Sequence, residues 1–198
     1  MQEQNLRRTM ENKTILVVVA HPDDEVLGCG GYMKLLSEKN DVYTLILGEG
    51  RPYTDYLMAM KGANKMLGVK EVFVRDFPDN QFDTVPLLDI VKEVEYTKNE
   101  ISPDVIFTHH RGDLNIDHRK TFEAVITASR PMVGETVKEI YSFEVASSTE
   151  WAVPNTFNPN VFVDISNTFN HKIEANMVSV RKCEKGEGRE TDTPGALL

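Results

Sequence analysis

The sequence predicts a single α/β domain of Rossmann-like type, with a mostly parallel sheet covered by helices on both faces. Three observations predict it. Short, nearly continuous apolar runs recur at 15–20, 42–47, 71–77, 105–109, 140–145 and 161–165. Amphipathic patterns at helical spacing separate the first four of these runs. Clusters of polar residues follow the runs directly, at 21–25, 49–51, 79–83 and 109–118. Unbroken apolar runs belong to strands buried on both faces, which is the situation of parallel sheets with helical crossovers.

Each element has its own justification. Residues 1–13 form a charged, polar lead-in without an apolar signal region. The run at 15–20 is followed by Val26, Gly30, Met33 and Leu36 at helical spacing. Within that helix Gly28, Gly30 and Gly31 read as permitting close helix–sheet packing, with Cys29 as a small buried filler. After 42–47 comes a helix carrying Tyr56, Met60, Ala63 and Leu67, closed by Gly68 as a C-terminal cap. After 71–77 the helix carries Leu87, Leu88, Val91 and Val94, with Asp83 and Thr84 as cap candidates and Pro86 in its first turn. After 105–109 the pattern is Phe122, Val125, Ile126 and Ser129, stopped by Pro131. The runs at 140–145 and 161–165 complete the strands. Trp151, the sole tryptophan, reads first as a core anchor and second as a stacking wall for a sugar. His171 reads as a surface helix residue. The domain spans 14–175, and the polar, Gly- and Pro-containing stretch 176–198 reads as a disordered or abbreviated tail.

Bulk composition narrows the function classes. With 198 residues, 40% hydrophobic and 27% charged, the chain suits one globular domain with a substantial core. A net charge of −9 argues against a nucleic-acid footprint and against anionic membrane surfaces. Cys29 and Cys183 give neither a disulfide framework nor a cysteine metal cluster, and the apolar runs are far too short to span a membrane. The expectation is a cytoplasmic protein acting on a small molecule, with homo-oligomerisation left open.

In doubly wound sheets ligands bind outside the carboxyl ends of the strands, so the four polar clusters predict one composite site. The first reads Ala20-His21-Pro22-Asp23-Asp24-Glu25-Val26-Leu27-Gly28-Cys29-Gly30-Gly31. His21 and Asp24, three apart at a strand end, make a two-ligand half of a zinc site, with Asp23 as a candidate base. The simpler reading is that acids at a helix start complement its dipole. The last cluster contains Asp113-Leu114-Asn115-Ile116-Asp117-His118-Arg119. Asn115 or Asp117 can cap the helix that follows, which places His118 in the first turn as a third ligand. Two histidines, one carboxylate and an open position form the pattern of a catalytic zinc; Fe2+ suits the same set nearly as well. The competing reading is a dinucleotide-binding domain, with Glu49 about where a ribose-binding acid stands. However, Met33 occupies the third position of the G-x-G-x-x-G pattern, and three acids stand where pyrophosphate needs bare N–H groups.

Residues 20–31 (AHPDDEVLGCGG) and 114–119 (LNIDHR) resemble the LmbE-like, or GlcNAc-phosphatidylinositol de-N-acetylase (PIG-L), family. These are zinc-dependent enzymes that remove acetyl from N-acetylglucosamine-type groups. The resemblance runs from 13 to about 174 and includes 77–80 and 147–151. It implies that His21, Asp24 and His118 bind zinc and that Asp23 is the general base. It also implies that Arg51 and Asp79 occupy substrate-contacting positions. There is one departure. Many members carry His-x-Asp-His, whose first histidine stabilises the oxyanion and is oriented by the aspartate. Here Asn115 stands at that position, able to donate a hydrogen bond but not to carry a positive charge. Asn115 is thus either an oxyanion donor or purely a cap, and His109 or His110 is left to supply the acid. Asp117 either orients a histidine or complements the helix start. Two alternatives accompany the deacetylase reading: an amidase acting on a larger conjugate, and a weakly active or inactive shortened member. The second arises because the stretch after 175 departs from the longer helix usual in the family.

Overall fold

Five strands form the frame: β1 (Thr14–Val19), β2 (Asp41–Gly48), β3 (Glu71–Phe77), β4 (Val105–His109) and β5 (Glu139–Phe143). The computed structural model describes residues 10–48, 54–154 and 157–183. The strands lie in one sheet in the order β3-β2-β1-β4-β5, every pairing parallel. Helices α1 (Asp24–Leu36), α2 (Thr54–Met66), α3 (Leu87–Ile101) and α4 (Ile116–Ala128) follow the first four strands in turn, and α5 (Phe169–Cys183) closes the described chain. This is the α/β architecture expected from the sequence.

The apolar runs show why the sheet is sandwiched. In β1, Ile15, Val17 and Val19 pack on one face with Val26, Met33 and Leu36 of α1, Met60 and Ala63 of α2, and Ala175 of α5. Leu16, Val18 and the following Ala20 pack on the other face with Ile90, Val91 and Val94 of α3 and Ala124 and Val125 of α4. Alternate residues therefore enter two separate cores, and each fully buried aliphatic side chain contributes about 1.5–3 kcal/mol.

Several elements differ from expectation. The run at 161–165 is not a strand; it crosses α1 as irregular chain. Val163 and Ile165 still bury against the core of that face. A Cβ on Gly31 would lie 2.6 Å from the Ile165 side chain, so the glycine lets this segment dock on the helix instead of pairing with the sheet. Gly28 does the same for β5, since a Cβ there would lie 2.2 Å from the Phe143 ring. Asp83 and Thr84 do not cap α3; they form a single 3-10 turn at Phe82–Thr84, and α3 opens at Leu87 directly after Pro86. Gly68 follows α2 with φ 81, the left-handed closure expected of it. Trp151 is not a core anchor: it stands in a 3-10 turn, 67% exposed. Packing extends past both expected domain limits. Met10 is buried and receives the Tyr32 hydroxyl, and α5 runs on to Cys183 against α1 and α2. No helix among the described residues is long and apolar enough to cross a membrane.

Candidate active site

The chain leaves β1 for β2 on one side of the sheet and later crosses to β4 on the other, so the carboxyl ends of β1 and β4 lie side by side. That crevice is the topological switch point where doubly wound folds bind ligands. The polar stretches after β1 and β4 meet there.

After β1 the backbone turns sharply. The His21 N–H donates to Asp24 Oδ2 at 2.9 Å, and Leu27 N–H donates to the Asp23 carbonyl at 2.9 Å to start α1. Asp23 caps this helix with φ 103 and ψ −24, a left-handed conformation that few non-glycine residues adopt. After β4 the turn is relaxed. Asn115 has φ −67 and ψ 130, and its side-chain oxygen accepts from the N–H groups of Asp117, at 2.8 Å, and His118, at 3.4 Å. This cap sets the first turn of α4 and thereby presents His118 and Asp117 to the crevice.

Three donor atoms converge between the two junctions. His21 Nδ1 lies 3.4 Å from Asp24 Oδ2, His118 Nε2 lies 3.2 Å from the same oxygen, and the two imidazole nitrogens are 3.3 Å apart. A tetrahedron with zinc–ligand bonds of ~2.0–2.1 Å has edges of ~3.3–3.4 Å, so this nearly equilateral triangle has the size of one face of a zinc coordination shell. The donor types and their spacing therefore suit a divalent metal.

Each histidine of the triangle is held from behind by a carboxylate. His21 Nε2 is 2.9 Å from Asp117 Oδ2, and the other oxygen of Asp117 accepts the Phe82 N–H at 2.9 Å. His118 Nδ1 is 3.1 Å from Asp113 Oδ2, which also accepts the Thr149 hydroxyl at 2.6 Å. Such partners fix the tautomer and ring orientation of a ligand histidine. Of the two readings of Asp117, the contact with His21 Nε2 is the one that the orienting reading expects. The sequence reading assigns no role to Asp113 or Thr149. The signal for Asp113 is nonetheless there: two ligand histidines call for two acceptors, and Asp113 and Asp117 flank the Asn115 cap.

The electrostatics follow from this crowding. Burial opposes charge on His21, but Asp117 and Asp24 outweigh it and raise its pKa to about 10. His118 is likewise raised to about 9, burial being outweighed by Asp113 and Asp24. Burial would also raise Asp24, yet the surrounding imidazoles hold its carboxyl well below the usual range. The crevice thus favours positive charge at its centre, whether brought by protons or by a cation. Asp23 is raised to about 7, by burial and by the negative charge of Asp24, with His21 and His118 acting in the opposite direction.

The remaining expected residues fall at the margins. Asp79 is exposed, with Oδ1 3.3 Å from His21 Nε2, at the rim. Arg51 lies outside the described residues, as does Glu49. His109 is fully buried behind the ligands: its ring stacks on His118 at 3.9 Å, and its Nε2 accepts the Ala20 N–H at 2.9 Å. Burial pushes its pKa down. His110 turns away, edge-on to Phe157, with Nδ1 accepting the Gly112 N–H.

Comparison with known proteins places the chain among relatives of one family and fold. The chain is 28% identical over 169 residues to the uncharacterized deacetylase YaiS of Escherichia coli K12, covering 80% of this chain and 85% of that one. It is 25% identical to a probable N-acetyl-alpha-D-glucosaminyl L-malate deacetylase 2 of Bacillus cereus, covering 81% of this chain and 80% of the relative. Its fold matches that of GalB, a 4-carboxy-2-hydroxymuconate hydratase of Pseudomonas putida KT2440, with TM-score 0.67 and 18% identity over 90% of this chain and 92% of GalB. The sequence pattern of the family described as GlcNAc-PI de-N-acetylase, PIG-L, matches residues 16–129. That span holds both junctions and every residue of the donor triangle, and the chain belongs to the PIG-L family.

Proposed function

We propose that this protein is a metal-dependent hydrolase that removes acetyl from an N-acetylglucosamine-type amide. The observation that carries the reading is the triangle of His21 Nδ1, Asp24 Oδ2 and His118 Nε2, whose charges the half-buried Asp23 carboxyl feels. Family membership and the names of the relatives support the same chemistry. Zinc is the metal this donor set favours, and Fe2+ is the alternative.

When bound, the metal polarises the amide carbonyl and lowers the pKa of water toward ~7. The remaining work belongs to the chain. Asp23 takes the proton from the attacking water and returns it to the departing amine, one group acting first as base and then as acid. Asp113 and Asp117 keep His118 and His21 neutral on their metal-facing nitrogens by accepting from the opposite ones. Asn115 acts through its cap, holding α4 so that both acids and His118 stay aimed. Asp79 at the rim, with Arg51, contacts the sugar.

The rim favours a refinement. Leu114, Ile116, Trp151 and Val153 are exposed on the segments that follow β4 and β5. Exposed apolar side chains on these segments suit a conjugate carrying an apolar or aromatic group better than a free saccharide.

Acetate release from a panel of N-acetylglucosamine derivatives, nucleotide-linked, lipid-linked and free, with zinc supplied, tests the reading. Release from one member that disappears in Asp23→Asn is the expected result. Because GalB shares the fold and is a hydratase, the panel includes an unsaturated carboxylic acid. Water addition there without acetate release elsewhere would replace the deacetylase reading.

A further inference from the structure

The first turn of α1 holds a carboxylate that the chemistry above leaves unused. Glu25 is 1% exposed, and both of its oxygens are engaged. Oε2 accepts the backbone N–H of Asp23 at 3.1 Å, and Oε1 accepts from Asn64 Nδ2 at 2.7 Å. Asn64, fully buried in α2, also donates to the Met60 carbonyl at 3.1 Å, and its oxygen accepts the Thr44 hydroxyl of β2 at 3.0 Å. A continuous buried line therefore runs from β2 through α2 and α1 to the main chain of Asp23. A helix cap alone does not need it: a local carboxylate–amide bond closes within one turn, whereas this line crosses three elements. Its near end fastens the one described residue of the site with a left-handed backbone, Asp23 at φ 103. Such conformations persist only where the surroundings over-determine them.

We propose that Glu25 is a positioning residue for the reaction, holding the Asp23 backbone in its left-handed conformation so that the carboxyl faces the donor triangle, with Asn64 and Thr44 anchoring Glu25 to the sheet. The proposal rests on the deacetylase reading for its effect on turnover but not for its geometry.

The test is an exchange of acid and amide. In Glu25→Gln one acceptor becomes an N–H donor, and it faces either the Asp23 N–H or the Asn64 amide, both donors. The expected result is a fall in kcat of about 100-fold, the scale of a misplaced catalytic group, with KM and bound metal unchanged and faster hydrogen exchange at the Asp23 amide. Adding Asn64→Asp restores the acceptor that the amide introduced in α1 needs and keeps an acceptor for the Thr44 hydroxyl, while the bond to the Met60 carbonyl is lost. The double variant should recover part of the lost kcat and the Asp23 protection. Thr44→Val, a milder cut at the far end, should give a smaller kcat loss in the same direction and serves if Glu25→Gln does not fold. Wild-type kcat in Glu25→Gln overturns the proposal. So does loss of metal and melting temperature together with no recovery in the exchange, which marks a purely structural network. If the wild-type enzyme releases no acetate, the deacetylase reading fails alone. Asp23 amide exchange then decides the positioning role: slow in wild type and fast in Glu25→Gln supports it, and fast in both overturns it.

Discussion

The two strand-to-helix junctions that build the site make the same connection on neighbouring strands with opposite degrees of strain. After β1, Asp23 is held at φ 103 and lacks a side-chain capping bond. After β4, Asn115 sits in ordinary extended backbone and caps α4 twice. The strained junction carries Asp23 and two corners of the donor triangle, His21 and Asp24. The relaxed one carries the third donor and both acids that aim the histidines. The junctions also brace each other: Asp117 of the second holds His21 of the first, and Asp24 of the first lies 3.2 Å from His118 Nε2 of the second. Neither is a site alone. Strain is concentrated where chemistry needs one carboxyl in one place, and regular helix-capping geometry serves where side chains only need to be presented.

The largest break removes a corner of the triangle. His118→Ala should abolish tight metal binding and turnover together, with metal stoichiometry measured after chelator competition. Wild-type protein at a hundredfold excess of metal over Kd should gain about 2.7 kcal/mol of stability, and the variant should gain none. A variant that still melts higher with metal would show that His118 is not a ligand. Next, Asp23→Asn should keep metal and fold while turnover falls by about 10²–10⁴-fold, the usual contribution of a positioned acid–base group. Full turnover there would move the base elsewhere. Smaller still are Asp113→Asn and Asp117→Asn, each expected to lower metal affinity or activity by about 10–100-fold. Measured side by side they sharpen the comparison. Equal losses mean the two histidines are braced symmetrically, and a loss confined to one variant means that one junction sets the metal affinity.

Much of this is legible in the sequence, for definite reasons. Alternating burial along strands such as β1 leaves unbroken aliphatic runs, so the parallel sheet can be read directly from 15–20 and 105–109. That His21, Asp23, Asp24 and His118 stand together at strand ends can be read because strand-end placement is local and the carboxyl edge of the sheet gathers the clusters. Glycines facing a neighbour, Gly28 under Phe143 and Gly31 under Ile165, announce close packing but not what packs. That is why 161–165 reads as a strand: a short apolar run looks the same whether its buried side chains pair with a sheet or lie across a helix. Trp151 misleads because a tryptophan is on average well buried, and its exposure here is decided by the 3-10 turn that carries it. The bond from Thr149 to Asp113 and the line through Thr44, Asn64 and Glu25 join residues 20 to 39 positions apart in the chain. No local pattern records such contacts; they appear only when β4 and β5 become neighbours and α2 packs beside α1.

Asn115 offers the smallest effect and separates the junctions most finely. Its oxygen already accepts from two helix N–H groups, so its clear work is the cap. Asn115→Ala should cost about 1 kcal/mol of stability, seen as a melting temperature lower by about 2–4 °C for a domain of this size. Asn115→Ser keeps a capping oxygen and removes only the amide. It should restore the melting temperature and hold kcat close to wild type, since the position of His118 depends on the cap and not on the nitrogen. A fall in kcat of about 10²–10³-fold in Asn115→Ser with stability intact would be the loss expected for an oxyanion donor. The second junction would then take part in the chemistry as well as in aiming it, and the division of labour between strained and relaxed turns would fail at this residue.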